Sequence, residues 1–180
     1  MVSRQNLEFR YLDTEEDRKE LLDDIRRVRR DVLEMAASIP ADQHFEPRYH
    51  GWSLAAMLMH LHTIDRLAMW QIKLALINIA PAIPIEMVNS LNDTCARIFH
   101  RRLVSTTIRG IQKHEAEIKE LVTRLPLDRF SKQLFYPPLG IYLTIERGIQ
   151  AYYLFHWHEH LVTMQKAEGL YYEPPDTTEI

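Results

Sequence analysis

The chain has 180 residues, 46% hydrophobic and 26% charged, which is enough to close a sizeable core within one domain. Lys+Arg 22 against Asp+Glu 25 gives a formal net charge of −3, and so slight an imbalance argues against a dedicated nucleic-acid binder, a class that carries a basic surplus. The single cysteine, Cys95, excludes an internal disulfide framework and a Cys-rich zinc ribbon.

The N-terminal stretch has no apolar run of the signal-peptide kind. The most apolar segment, 67–88, is broken by Lys73, Asn78, Pro81, Pro84 and Glu86 and makes a poor membrane span. The expectation is a cytoplasmic protein with no membrane contact. Gly is scarce and no Asn-Gly or Asp-Gly turn occurs, so no strand is predicted.

The first predicted helix runs from Thr14 to Ser38. Thr14 and Asp17 have capping-box spacing, with Asp in place of the usual Glu. Leu21, Ile25, Val28, Val32, Met35 and Ile39 form one apolar stripe, while Asp23, Asp24, Arg26, Arg27, Arg29, Arg30 and Asp31 read as a solvated face. Pro40 ends the helix. The second helix starts after the cap residue Ser53, with Trp52 and Met57 placed as a hydrophobic staple, and runs to about Ile79. Its apolar face is Met57, Leu61, Ile64, Ala68, Ile72, Ala75 and Ile79. His60 lies on that face, and His62 points away beside Arg66 and Lys73.

Residues 80–104 read as irregular, with a short helix near Met87–His100. The third long helix starts at Ser105 or Thr106 and ends at Pro126, its stripe of Ile108, Ile111, Ile118, Val122 and Leu125 interrupted by Glu115. Residues 126–143 read as a loop. The fourth helix runs from Thr144 to Gly169, a good residue for a helix C-terminus. The tail, 170–180, reads as extended. Four long amphipathic helices imply an all-α four-helix bundle spanning the chain as a single domain. The connection between helices two and three, about 25 residues, is long enough to let them run parallel.

Nine histidines are an excess, and their placement is informative. His156 and His160 are four apart and share one helical face. His158 lies about 200° away from each on the wheel. Such an i,i+4 pair can hold one metal ion if a third ligand arrives, and His60 is the other histidine on an inward stripe. His60 is about 10 Å inside the N-terminal end of helix two; His160 is about 13 Å from the C-terminal end of helix four. The three meet at one level if those helices are antiparallel and miss by roughly 8 Å if they are parallel. The metal reading therefore requires up-down-down-up order, which the long crossover permits. The plain alternative is a set of hydrogen-bonded core histidines.

Two segments resemble a known family. Trp52-Ser53, Leu58-x-His60-Leu61 and Asp65 are similar to the second-helix motif of the DinB-like (DinB/YfiT-like) superfamily. His156, His160 and Leu161 resemble its last-helix motif, although Glu159 stands where many members have a further histidine and an extra one stands at 158. The resemblance implies an up-down-down-up four-helix bundle, often a homodimer. It also implies a divalent metal such as zinc or nickel on His60, His156 and His160. Members include metal-dependent hydrolases acting on small molecules and S-transferases that use a low-molecular-weight thiol. DNA binding is not expected.

Three neutral imidazoles leave the full charge of a dication in place, and an open fourth position lowers the pKa of a water or thiol there. Asp65, Glu115 and Glu159 are the candidates for orienting a ligand or accepting a proton. For Asp65 the competing reading is a surface or inter-helix salt bridge, for Glu115 a boundary residue at the edge of the stripe, and for Glu159 simple exposure. Arg101 and Arg102, with Tyr49, His50, Tyr171 and Tyr172, are placed near the opening, where the arginines could grip an anionic substrate. Trp157, Tyr152 and Tyr153 read as core or dimer contacts. A non-catalytic bundle, a binding or stress-associated protein with a structural histidine cluster, is the alternative function.

Overall fold

The structure is a computed structural model and describes residues 8–171. Helix α1 (Glu15–Ser38) opens with the expected capping box: the Thr14 hydroxyl accepts from the Asp17 amide at 3.1 Å, and the Asp17 carboxylate accepts from the Thr14 amide at 2.9 Å. Its stripe is buried as expected, but Arg29 is buried with it, at 0% exposure. Position 29 falls between Ile25 and Val32 at steps of four and three, so it belongs to the apolar stripe and not to the solvated face.

A 3₁₀ turn (Ala41–Gln43) leads to α2 (Leu54–Leu76). Ser53 caps α2 by accepting from the Ala56 amide, and its hydroxyl donates to the His100 carbonyl at 2.9 Å. The helix stops three residues short of Ile79, because Asn78 takes a left-handed φ of +63° and leaves Ile79 49% exposed. Helix α3 (Ile85–Phe99) occupies much of the crossover, and α4 (Val104–Arg124) follows.

A short helix α5 (Leu127–Phe130) precedes a hairpin of β1 (Gln133–Tyr136) and β2 (Ile141–Thr144), where no strand was expected. The register pairs Gln133 with Thr144 and Tyr136 with Ile141. The turn is Pro137-Pro138-Leu139-Gly140, with Gly140 at φ +64° and its amide on the Tyr136 carbonyl, so it lacks the dipeptides that announce hairpins. Phe135 and Tyr142 pack edge to face across it, ring centroids 5.2 Å apart.

The last long helix is continuous in direction but not in pitch: α6 (Ile145–Gln150), one π turn (Ala151–Phe155), then α7 (His156–Ala167). Gly169, at φ +69°, ends it, with the Leu170 amide on the Gln165 carbonyl at 2.8 Å.

Contacts fix the helix directions. His62 meets Gly110 and the Asp65 carbonyl meets His114, so α2 and α4 run parallel. Arg18 reaches the Leu125 carbonyl and Arg26 faces Glu115, so α1 and α4 are antiparallel. Tyr49 reaches Glu168 and Gln71 reaches Tyr152, so α2 and the last helix are antiparallel. The order is up-down-down-up. Among the described residues no helix is long and apolar enough to cross a membrane.

Candidate metal centre

His60 lies in the second turn of α2, 5% exposed; His156 opens α7 and His160 follows one turn later. Their Nε2 atoms form a nearly equilateral triangle, with edges of 3.2, 3.2 and 3.1 Å. A point above that triangle lies roughly 2 Å from all three nitrogens, the length of a zinc–imidazole bond. The end of α2 that carries His60 is held against the end of α7 by Arg48 and Tyr49, both bonded to Glu168 at 2.8–2.9 Å. The level expected from counting residues inward from the two helix ends is therefore the level observed.

A neutral imidazole has one N–H and one lone pair. Three Nε2 atoms turned on one another cannot all be satisfied by one another, and the three Nδ1 atoms are buried with no hydrogen-bond partner among the described residues. Burial pushes His60 down to about 4, with Asn92 acting in the opposite sense. His160 falls to about 3, from burial first and then the charges of His60 and His50. His156 lies well below its ordinary value, from burial and then His160, His60 and Arg29. All three rings are neutral at pH 7, the state in which imidazole binds a metal. The donor set and its spacing fit a divalent ion.

Asp65 does not touch these rings. Its carboxylate accepts from Arg29 Nη2 at 2.8 Å and from the Trp157 indole N–H at 2.9 Å, both ion-pair partners fully buried. Its carbonyl accepts from His114 Nε2 and the Tyr153 hydroxyl. The Arg29 guanidinium lies 4.2 Å over the Trp157 ring. Burial raises the Asp65 carboxyl above its ordinary value, against the pull of Arg29 and the Trp157 N–H. The inter-helix salt bridge is thus the reading that holds. Because Trp157 stands next to His156 in the chain, the bridge also sets the rotation of α7 against α2.

Glu115 lies on the other side of the bundle, 3.8 Å from Arg26, and is no part of the cluster. The inward position on α4 belongs to His114, which the sequence reading missed; the steps 111, 114, 118 and 122 run through it. His114 Nδ1 faces Glu117 at 3.1 Å. His62 points away from His60 as expected, and on that side of α2 it packs on His114, ring centroids 6.1 Å apart; burial lowers it to about 4, helped by His114, Arg66 and Arg102.

Glu159 is exposed, and its charge acts on Tyr136 of the hairpin. Arg101 is exposed, and Arg102 stacks on Phe99 at 5.5 Å on the His62 side of α2, so neither is found against the three rings. His50, at φ +53°, is close enough for its charge to act on His160. Tyr49 is buried in the cap contact just described. Tyr171 packs on Lys166, whereas Tyr172 and the rest of the tail lie outside the described residues. Trp157, Tyr152 and Tyr153 are core, as expected.

No family model matches this sequence, and no curated protein matches it. A solved structure does: YfiT from Bacillus subtilis, described as a probable metal-dependent hydrolase with an unusual four-helix bundle topology, aligns with a TM-score of 0.70 over 87% of this chain and 88% of its own, at 16% sequence identity. The fold of this chain is the DinB/YfiT-like four-helix bundle.

Proposed function

We propose that His60, His156 and His160 hold one divalent metal ion, zinc or nickel, and that the chain is a metal-dependent hydrolase of a small molecule. The observation that carries this reading is the triangle of Nε2 atoms, 3.1–3.2 Å on each edge, contributed by two antiparallel helices. The printed description of YfiT, which shares the fold, supports it.

A divalent ion held there by His60, His156 and His160 would supply Lewis acidity toward a group in its remaining position. The chain's own residues do the rest. Burial keeps the three imidazoles neutral and ready to donate. The Asp65–Trp157 bond holds α7 in the rotation that aims His156 and His160 at His60. Three protein ligands would leave one of a tetrahedral ion's four positions to a non-protein group, the arrangement of catalytic sites and not of closed structural ones. A thiol in that remaining position would turn the site to S-transfer, and a change in the spectrum of cobalt-loaded protein on adding a low-molecular-weight thiol would select that branch. Apolar side chains left exposed along α3 and just beyond it, Met87, Ile98 and Leu103, support a homodimer, which sedimentation would show.

Metal analysis of protein purified without a histidine tag tests the proposal. One ion per chain is expected, lost in His60→Ala. Metal-free protein whose melting temperature ignores both chelator and added zinc would instead indicate the non-catalytic bundle.

A further inference from the structure

A groove of about 670 Å3 lies beside the three histidines, between the 45–53 connection and α3. Phe45, Pro47 and Trp52 form its apolar wall; Asp93, Arg97 and His100 form the facing one. None of the three metal-site histidines lines it. Trp52 connects the two places: its ring is part of the groove and also meets His60 edge to face, centroids 5.1 Å apart. Asn92, which acts on His60, adjoins Asp93 in the chain. A groove of this volume is within the range of small-molecule sites.

The charges on the α3 wall are opposite and unpaired with each other. Asp93 and Arg97 stand one helical turn apart, the spacing at which such side chains usually close into an ion pair. Here Arg97 turns its Nε to the Asp93 carbonyl at 3.3 Å instead, and both side chains remain exposed. His100 Nδ1 donates to the Arg97 carbonyl at 2.7 Å, which ties down the end of the wall. One cation and one anion, side by side and facing an aromatic wall, match a ligand that carries the same three elements in complement. A sugar phosphate or a nucleotide would meet Asp93 as a repulsion.

We infer that this groove binds a small amino-acid-like zwitterion with an apolar body, its carboxylate on Arg97, its ammonium on Asp93 and its apolar part against Phe45 and Trp52. The inference rests on the hydrolase reading for its role, since Trp52 is the side chain that the groove shares with the edge of His60.

Calorimetric titration of the intact metal-loaded protein with three probes of one aromatic body provides the test: phenylalanine, 3-phenylpropionate, which lacks the ammonium, and 2-phenylethylamine, which lacks the carboxylate. Phenylalanine should bind at least tenfold more tightly than either. Arg97→Gln should reduce it to the level of the amine, and Asp93→Asn to the level of the acid, with metal content unchanged in both. Equal binding of the three probes, no binding by protein that holds one metal per chain, or variants without effect would overturn the inference. Protein that holds no metal but still prefers phenylalanine through Arg97 and Asp93 would keep the groove and remove the hydrolase reading.

Discussion

Two polar clusters lie along α2, one shared with α7 alone and one that also draws in α1 and α4, and they are built in opposite ways. At Asp65, five residues beyond His60, unlike groups meet: carboxylate with guanidinium, carboxylate with indole N–H, carbonyl with imidazole and phenol. At His60, like groups meet: three neutral imidazoles converge through the same atom, and their other nitrogens find no partner among the described residues. In the cluster of complementary groups the chain supplies the partners: both Asp65 carboxylate oxygens and its carbonyl are hydrogen-bonded within the protein, although Arg29 Nε and Nη1 are not. A cluster of identical donors has no such internal partners, and a cation that takes all of their lone pairs would supply one. Under the proposed function the first cluster is structure and the second is the metal site.

Removing a member of each should separate those roles. His156→Ala should reduce metal affinity by more than the roughly 10–100-fold that an outer residue controls, with little loss of fold in metal-free protein; equilibrium titration with zinc and denaturant melts of the apo form check both halves. Arg29→Met should do the reverse. It leaves the Asp65 carboxylate buried without its cation, which costs about 3–5 kcal/mol by urea denaturation, while the folded fraction keeps one metal per chain. A His156→Ala variant that melts as badly as Arg29→Met would dissolve the distinction.

The two clusters were not equally legible in the sequence. The trio was, because it rests on helix geometry alone: a four-residue repeat, an inward stripe and a rise of about 1.5 Å per residue carry over directly into space. The Asp65 cluster was half legible. The carboxylate could be placed in a salt bridge, but Arg29 sits in a run of charges that looks like a solvated face, and only its position between Ile25 and Val32 marks it as inward. His114 was hidden by the neighbouring Glu115, since one residue of slip on a helical stripe exchanges the buried position for the boundary one. The hairpin was missed because a Pro-Pro-Leu-Gly turn resembles a loop. The π turn before His156 adds a residue to the wheel that no periodicity announces.

Acidification should act on the imidazole cluster more than on its neighbour. The folded-state values, about 4 for His60 and about 3 for His160, lie below the ordinary value near 6.5, so the unfolded chain takes up protons that the folded chain refuses. Stability of the metal-free protein is then full above pH 6.5 and falls as the pH drops toward 4, by about 1.4 kcal/mol per pH unit for each ring. Urea melts at pH 7 and pH 5 should differ by about 2 kcal/mol per ring, less in His160→Gln, and bound zinc should move the loss to lower pH. Equal stability at the two pH values would mean that the rings are hydrated.

Two glycines probe the packing outside the histidine trio, with smaller effects. At Gly148 an added Cβ would stand 2.7 Å from Leu134 Cδ2, so Gly148→Ala should push the hairpin off the last helix at a cost of about 1–3 kcal/mol, read as a lower melting temperature. At Gly110 the nearest atom is His62 Nε2, at 3.0 Å, the far end of a half-buried ring. Alanine gains about 0.5–1 kcal/mol of helix propensity there, and displacing His62 from its contact with His114 gives back a similar amount. The net change for Gly110→Ala should lie within about 0.5 kcal/mol. Zinc affinity should not move, because His62 packs against α4 while His60 faces α7 across the opposite side of α2. A shift in affinity would show that the two sides of α2 respond together, and the contrast between a self-contained cluster and a metal-seeking one would have to be redrawn as a single coupled network.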